Sequence, residues 1–132
     1  MPRWGATKEE KKMARKILVV EDSPTQMQMV KSALQGVGYN VITAFNGEEA
    51  LEKAQRERPE LVLLDVVLPG KNGFQICRAL KTAADTKDIP VILLTSKDQT
   101  SDRFWGMRQG ADLYLTKPWK ADELLAAVAR YL

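Results

Sequence analysis

Histidine is absent from the 132 residues, and cysteine occurs once, as Cys77. The first absence removes imidazole from every role, so no Ser–His–Asp or Cys–His couple and no histidine metal ligand exists. The second removes intrachain disulfides and cysteine-rich zinc sites. No apolar run approaches the ~20 residues that a bilayer-spanning helix requires. The run Ile17–Val20 stops after four residues at Glu21-Asp22, short of the roughly 7–15 apolar residues of a secretory signal. An unpaired cysteine without an export signal places the expected site of action in the cytoplasm. Chemistry in this chain must run on carboxylates, hydroxyls and amines.

Composition is otherwise ordinary. A hydrophobic share of 45% and a charged share of 28% match a globular chain and exclude disordered or fibrous classes. The net charge of +3 is unevenly spread. Residues 1–16 carry six basic side chains against Glu9 and Glu10, whereas the remainder holds 14 basic and 15 acidic residues. Residues 1–15 are therefore expected to be a basic, flexible arm, with one domain over 16–132. Met13 offers a second possible start of translation. The nearly neutral domain gives no reason to expect a nucleic-acid partner, which would rest on the arm alone.

From residue 16 onward, short apolar runs alternate with segments of helical period. Ile17–Val20, Leu61–Leu64 and Val91–Leu94 are continuous aliphatic runs that read as strands buried on both faces, as in a parallel sheet. Tyr39–Ala44 and Asp112–Leu115 are weaker and are expected near the sheet's edges. Met27, Val30, Leu34 and Val37 recur at helical spacing, as do Ala50, Leu51 and Ala54 after Asn46-Gly47. Phe74, Cys77 and Leu80 form a third stripe, and Leu124, Val128 and Leu132 a fifth. The fourth helix, near residues 99–108, has little periodicity. Five β-α units imply an α/β fold: an open parallel sheet with helices on both faces.

Ligands bind such sheets outside the carboxyl ends of the strands. There the chain places Glu21 and Asp22, then Asp65, then Thr95 and Ser96, then Thr116-Lys117-Pro118. Singly, several of these have plain structural explanations. Asp22 and Ser23 suit a helix cap before Pro24, Thr95 a turn and Lys117 a solvated loop. Asp65 is harder to explain away, because an acid inside Leu64-Asp65-Val66-Val67-Leu68 is costly without partners. Jointly, three carboxylates, a hydroxyl and an ammonium are expected to converge in one pocket. Clustered carboxylates call for a hard cation, and Mg²⁺ suits them. A carboxylate beside such an ion is a potential phosphoryl acceptor, with Lys117 and Thr95 placed to meet phosphoryl oxygens.

The segments Val19-Val20-Glu21-Asp22-Ser23, Leu63-Leu64-Asp65-Val66-Val67-Leu68-Pro69-Gly70-Lys71-Asn72-Gly73, Leu93-Leu94-Thr95-Ser96 and Gly110–Pro118 resemble the receiver domain of bacterial two-component response regulators. The resemblance spans residues 16–132. It implies a flavodoxin-like (βα)5 doubly wound sheet in strand order 2-1-3-4-5. It further implies that Asp65 is phosphorylated by a histidine kinase of the CheA-like type. Asp22, Asp65 and the Val67 carbonyl would bind Mg²⁺ directly, and Glu21 through water. Lys117, ahead of a cis bond to Pro118, would contact the phosphoryl group. Thr95 and Tyr114 would be a switch pair that repacks the face formed by the fourth helix, fifth strand and fifth helix, where a motility-apparatus or other protein target docks. Lys97, Trp105 and Tyr114 belong to that partner face. Trp105 has two readings, one facing the core and one exposed at the docking surface.

Val67 and Lys97 occupy positions that tune phosphate lifetime in this family. Val67 has no polar group to orient an attacking water, which implies slow self-dephosphorylation. The run Thr95-Ser96-Lys97-Asp98-Gln99 with Phe104–Ala111 resembles single-domain, CheY-like regulators of type IV pilus twitching motility, so a stand-alone motility or chemotaxis regulator is expected. Trp119 is expected to cover the loop bearing Lys117, and Cys77 to be a small buried hydrophobe. Two other readings stand beside this one. An aspartyl-phosphate phosphohydrolase would need a second Asp where Val67 lies. A phosphorylation-independent interaction module would have no use for the complete polar set.

Overall fold

The computed structural model describes residues 15–97 and 99–132; most of the expected N-terminal arm, and Asp98, lie outside the described residues. Five strands, β1 (Lys16–Val20), β2 (Asn40–Ala44), β3 (Leu61–Leu64), β4 (Val91–Thr95) and β5 (Leu113–Thr116), alternate with five helices. The helices are α1 (Pro24–Gly36), α2 (Gly47–Glu57), α3 (Gly73–Thr82), α4 (Thr100–Arg108) and α5 (Ala121–Arg130). The strands form one parallel sheet in the order β2-β1-β3-β4-β5, as expected, with the weaker strands at its edges. Chain order reverses beside β1, where Val19 pairs with Thr43 on one side and Leu63 on the other.

Side chains alternate across the pleat, so each buried run feeds two cores. Leu18, Val20, Val62, Leu64 and Leu93 face one side, against Ala50 and Ala54 of α2 and Ile76, Cys77 and Leu80 of α3. Ile17, Val19, Leu63, Ile92 and Leu94 face the other, against Met27, Val30 and Leu34 of α1 and Leu124 and Val128 of α5. Each fully buried aliphatic side chain is worth roughly 1.5–3 kcal/mol, which is why these runs are continuous rather than alternating.

Local chemistry sets the helix starts. Ser23 caps α1, its Oγ accepting the Gln26 N–H at 3.3 Å, and Pro24 follows in the first turn. Asn46 caps α2 through Glu49 N–H at 2.8 Å. Asn72 and Gln75 form a reciprocal capping box on α3. Strand β5 begins one residue later than the sequence suggests. Asp112 is occupied instead, its Oδ2 accepting Val91 N–H at 2.8 Å and Lys81 Nζ at 3.1 Å. Arg15 belongs with the domain, since its carbonyl accepts Asn40 N–H at 3.1 Å and its guanidinium donates to the Leu132 carbonyl.

One close approach fixes the segment after β3. Gly73 N–H donates to the Val66 carbonyl at 2.8 Å, and a Cβ at Gly73 would lie 2.2 Å from the Asp65 carbonyl oxygen and 2.5 Å from Val66 Cα. Backbone on both sides cannot yield as a flexible side chain would. Gly73→Ala is therefore expected to cost about 2–4 kcal/mol in a urea unfolding titration. Gly36→Ala, where nothing lies within 4 Å, is expected to be neutral or stabilising by about 0.5 kcal/mol.

Candidate functional site

Strands β1, β3 and β5 end at the same edge and extend there into Glu21, Asp65 and Lys117. The backbone ladder continues past the strands: Asp65 N–H donates to the Val20 carbonyl and Glu21 N–H to the Ala44 carbonyl, both at 3.0 Å. These bonds fix the main chain that carries each carboxylate. Lys117 reaches across the end of β4, and its N–H donates to the Thr95 carbonyl at 2.8 Å. The Lys117–Pro118 peptide is cis, as expected.

The Lys117 ammonium donates to Glu21 Oε1 at 2.5 Å, to Asp65 Oδ2 at 2.8 Å and to Gln26 Oε1. The three ionised side chains are 13%, 5% and 8% exposed for Lys117, Glu21 and Asp65, so water screens them weakly. Asp65 Oδ1 also accepts Val67 N–H at 3.0 Å, and Glu21 Oε2 accepts Ser23 N–H at 3.2 Å. Burial, reinforced by the facing Asp65 charge, raises the Glu21 carboxyl above its ordinary 4.5 despite the Lys117 hydrogen bond. Burial works to lower Lys117, but hydrogen bonds and charge from Asp65 and Glu21 outweigh it and hold the ammonium above its ordinary 10.5.

Of the three carboxylates expected at this edge, two are in direct contact with the lysine. Glu21 and Asp65 meet at Lys117, while Asp22 is exposed at the rim. Among the described residues, no three acidic or cysteine side chains are grouped closely enough to hold a metal. The reason is local: Glu21 turns inward to the ammonium, and Ser23 takes the capping role that could have engaged Asp22. The donor set still fits Mg²⁺. Two buried carboxylates share one lysine, which leaves a negative charge uncompensated before Asp22 is counted. Mg²⁺ is held by one or two carboxylates with waters completing its shell, which this arrangement can supply.

Thr95 is fully buried, and its Oγ1 accepts Lys97 N–H at 3.3 Å. The Lys97 carbonyl in turn accepts the Tyr114 hydroxyl at 2.6 Å, with the Tyr114 ring buried. One peptide segment thus joins the two residues of the expected switch. Val67 is 52% exposed beside Asp65. Trp105 takes the outward reading at 53% exposed, flanked by Phe104 and Met107. Trp119 packs partly buried on the α1–α5 core. Together with Met29 and Val30 it lines a cleft of about 310 Å³ beside Lys117. Cys77 is buried, and its thiol is pushed up to about 12 by that burial, so it stays protonated.

Two contacts were not anticipated from sequence. Gln26 supplies a third acceptor to Lys117, and its only trace is its place in the first turn of α1. Arg103 lies over Tyr114, and nothing in the weak periodicity of α4 points to it.

A doubly wound parallel sheet carrying a lysine-bridged pair of acids at the carboxyl ends of its strands is the arrangement of a receiver domain. The chain belongs to the response regulator receiver domain family, whose profile matches residues 17–129. It is 48% identical to Protein PilH of Pseudomonas aeruginosa over 116 residues, covering 88% of this chain and 95% of that protein. It is 42% identical to the alkaline phosphatase synthesis transcriptional regulatory protein PhoP of Bacillus subtilis, of which it spans 49%. The chemotaxis response regulator CheY4 of Vibrio cholerae superposes with a TM-score of 0.84 at 36% identity, covering 89% of this chain and 98% of that one. The chain is thus a receiver domain of two-component signalling, of the CheY-like type. Among the described residues, no helix is long and apolar enough to cross a membrane.

Removing the ammonium leaves two buried carboxylates face to face. Lys117→Met is expected to lose about 3 kcal/mol of stability at pH 7. Because the raised Glu21 takes up a proton more readily folded than unfolded, stability lost this way returns as pH falls toward the carboxylate range. Urea titrations at pH 7 and pH 5 check this, and the deficit should narrow at the lower pH. In the wild type the Lys117 contribution is present below the ordinary lysine value and declines as pH rises through the raised one.

Proposed function

We propose that the protein accepts a phosphoryl group on Asp65 from the phosphohistidine of a CheA-like histidine kinase and passes the signal through its α4–β5–α5 face to a motility target. The observation that carries this reading is the Lys117 ammonium 2.8 Å from Asp65 Oδ2, at the strand-end edge where such sheets bind ligands. Phosphoryl transfer asks a protein for placement and charge neutralisation more than for covalent chemistry. Asp65 is held by its Val67 N–H bond with Oδ2 toward the ammonium. Lys117 then meets a phosphoryl oxygen, and the Thr95 hydroxyl donates to another.

Asp22, Asp65 and the Val67 carbonyl would hold Mg²⁺, with Glu21 acting through water. The ion supplies positive charge that neutralises the acids and the incoming phosphoryl oxygens. The protein is a phosphoacceptor that assists its own loading and unloading rather than a turnover enzyme. Val67 presents no hydrogen-bonding side chain to water, which supports a long-lived phosphate. The motility assignment, in the cytoplasm, is supported by the likeness to a chemotaxis regulator and to twitching-motility regulators. Lys97, Trp105 and Tyr114 form the responding face, Trp105 through its exposed indole.

Incubation with Mg²⁺ and a small-molecule phosphodonor should give a single acid-stable, alkali-labile adduct. Asp65→Asn should abolish it, and omission of Mg²⁺ should suppress it strongly. Absence of an adduct on Asp65 refutes the reading. In the isolated phosphoprotein the label should persist well beyond seconds, and Val67→Glu, which can orient water, should shorten its life.

A further inference from the structure

Helix α4 is held unusually. Gly106 is its buried residue, so apolar packing alone cannot fix the helix against β5. The missing side chain there makes room for Tyr114: a Cβ at Gly106 would lie 2.9 Å from Tyr114 Cδ2 and 2.8 Å from Leu93 Cδ1. Arg103, one turn earlier, lies over the ring. Its guanidinium carbon lies 5.4 Å from the Tyr114 ring centroid, within range of a cation–π attraction. Its Nη1 donates to the Tyr114 carbonyl at 3.3 Å and its Nη2 to Thr116 Oγ1 at 3.4 Å. Tyr114 is thus gripped at three points: the ring face by Arg103, the backbone by the same guanidinium, and the hydroxyl by the Lys97 carbonyl.

We infer that Arg103 is a latch: a positioning residue that holds the Tyr114 ring inward and so sets how readily the α4–β5–α5 face changes shape. Arginine is required for this because one planar group both stacks and donates in a fork, which the point charge of lysine cannot do. The hydroxyl's partner, Lys97, also donates its N–H to Thr95 Oγ1. The latch therefore acts on the same peptide segment that senses the phosphate site. Releasing Arg103 removes the contact over the ring face and the bond to the Tyr114 carbonyl, while the hydroxyl bond to the Lys97 carbonyl stays. This inference rests on the proposed switching role of Tyr114 for its signalling consequence, while its geometric part is testable without any phosphate.

The test is nitration of the unphosphorylated full chain with tetranitromethane, with rates mapped to Tyr39, Tyr114 and Tyr131 by peptide mass. In the wild type Tyr114 should react slowly. Arg103→Met, which keeps an unbranched stem but removes charge and donors, should speed Tyr114 nitration by about tenfold and leave Tyr39 and Tyr131 unchanged. Arg103→Lys should fall between the two. Gly106→Ala, which fills the cradle, should expose the ring independently and shows that the assay detects its release. An unchanged Tyr114 rate in Arg103→Met overturns the latch, as does a parallel rise at all three tyrosines. Loading Asp65 separates the two claims. If Arg103→Met frees the ring but phosphorylation never alters Tyr114 in the wild type, the latch stands and the switching role falls.

Discussion

The contact on which the rest depends is an ammonium held between two buried carboxylates. Glu21 and Asp65 extend from adjacent strands, and each is fixed by a backbone bond at its own strand end. Facing one another without Lys117, they would be a net liability in so dry a place. Lys117 comes from the far side of β4, so the pairing also ties the edge strand β5 to the sheet centre. The parallel order β2-β1-β3-β4-β5 delivers all three groups to one edge. The arrangement is stable while leaving a negative balance, and that balance favours a cation at this edge.

Much of this was legible in the residues. The continuous runs Ile17–Val20, Leu61–Leu64 and Val91–Leu94 became the three central strands because burial on both faces leaves no room for polar alternation. The weaker runs became the edges for the complementary reason. Asn46-Gly47 and Asp22-Ser23 marked two helix starts, and Asn46 and Ser23 take the capping positions, because a cap is decided within one turn of chain. The strand-end acids and Lys117 were legible because the fold's topology, once inferred, says which loop tips meet.

What escaped was settled by side-chain direction across long separations. Asp22 and Glu21 are neighbours in sequence, yet one turns outward and the other inward, and no local pattern distinguishes them. Gln26 joins the site through a hydrogen bond to a residue at the opposite end of the chain. Arg103 acts on Tyr114 from a helix whose exposed Phe104, Trp105 and Met107 obscure any apolar stripe. Periodicity describes which face a helix buries, and α4 buries almost none.

That shallow seating has a consequence for how such a domain diversifies. Residues of α1 and α5 are locked into a packed layer, where most substitutions exact a stability penalty. Helix α4 commits Gly106 to the interior and, Arg103 apart, leaves its exposed side chains such as Phe104, Trp105 and Met107 outside the core. The outward side chains of α4 are therefore free to vary from one lineage to another at little cost to the sheet beneath them.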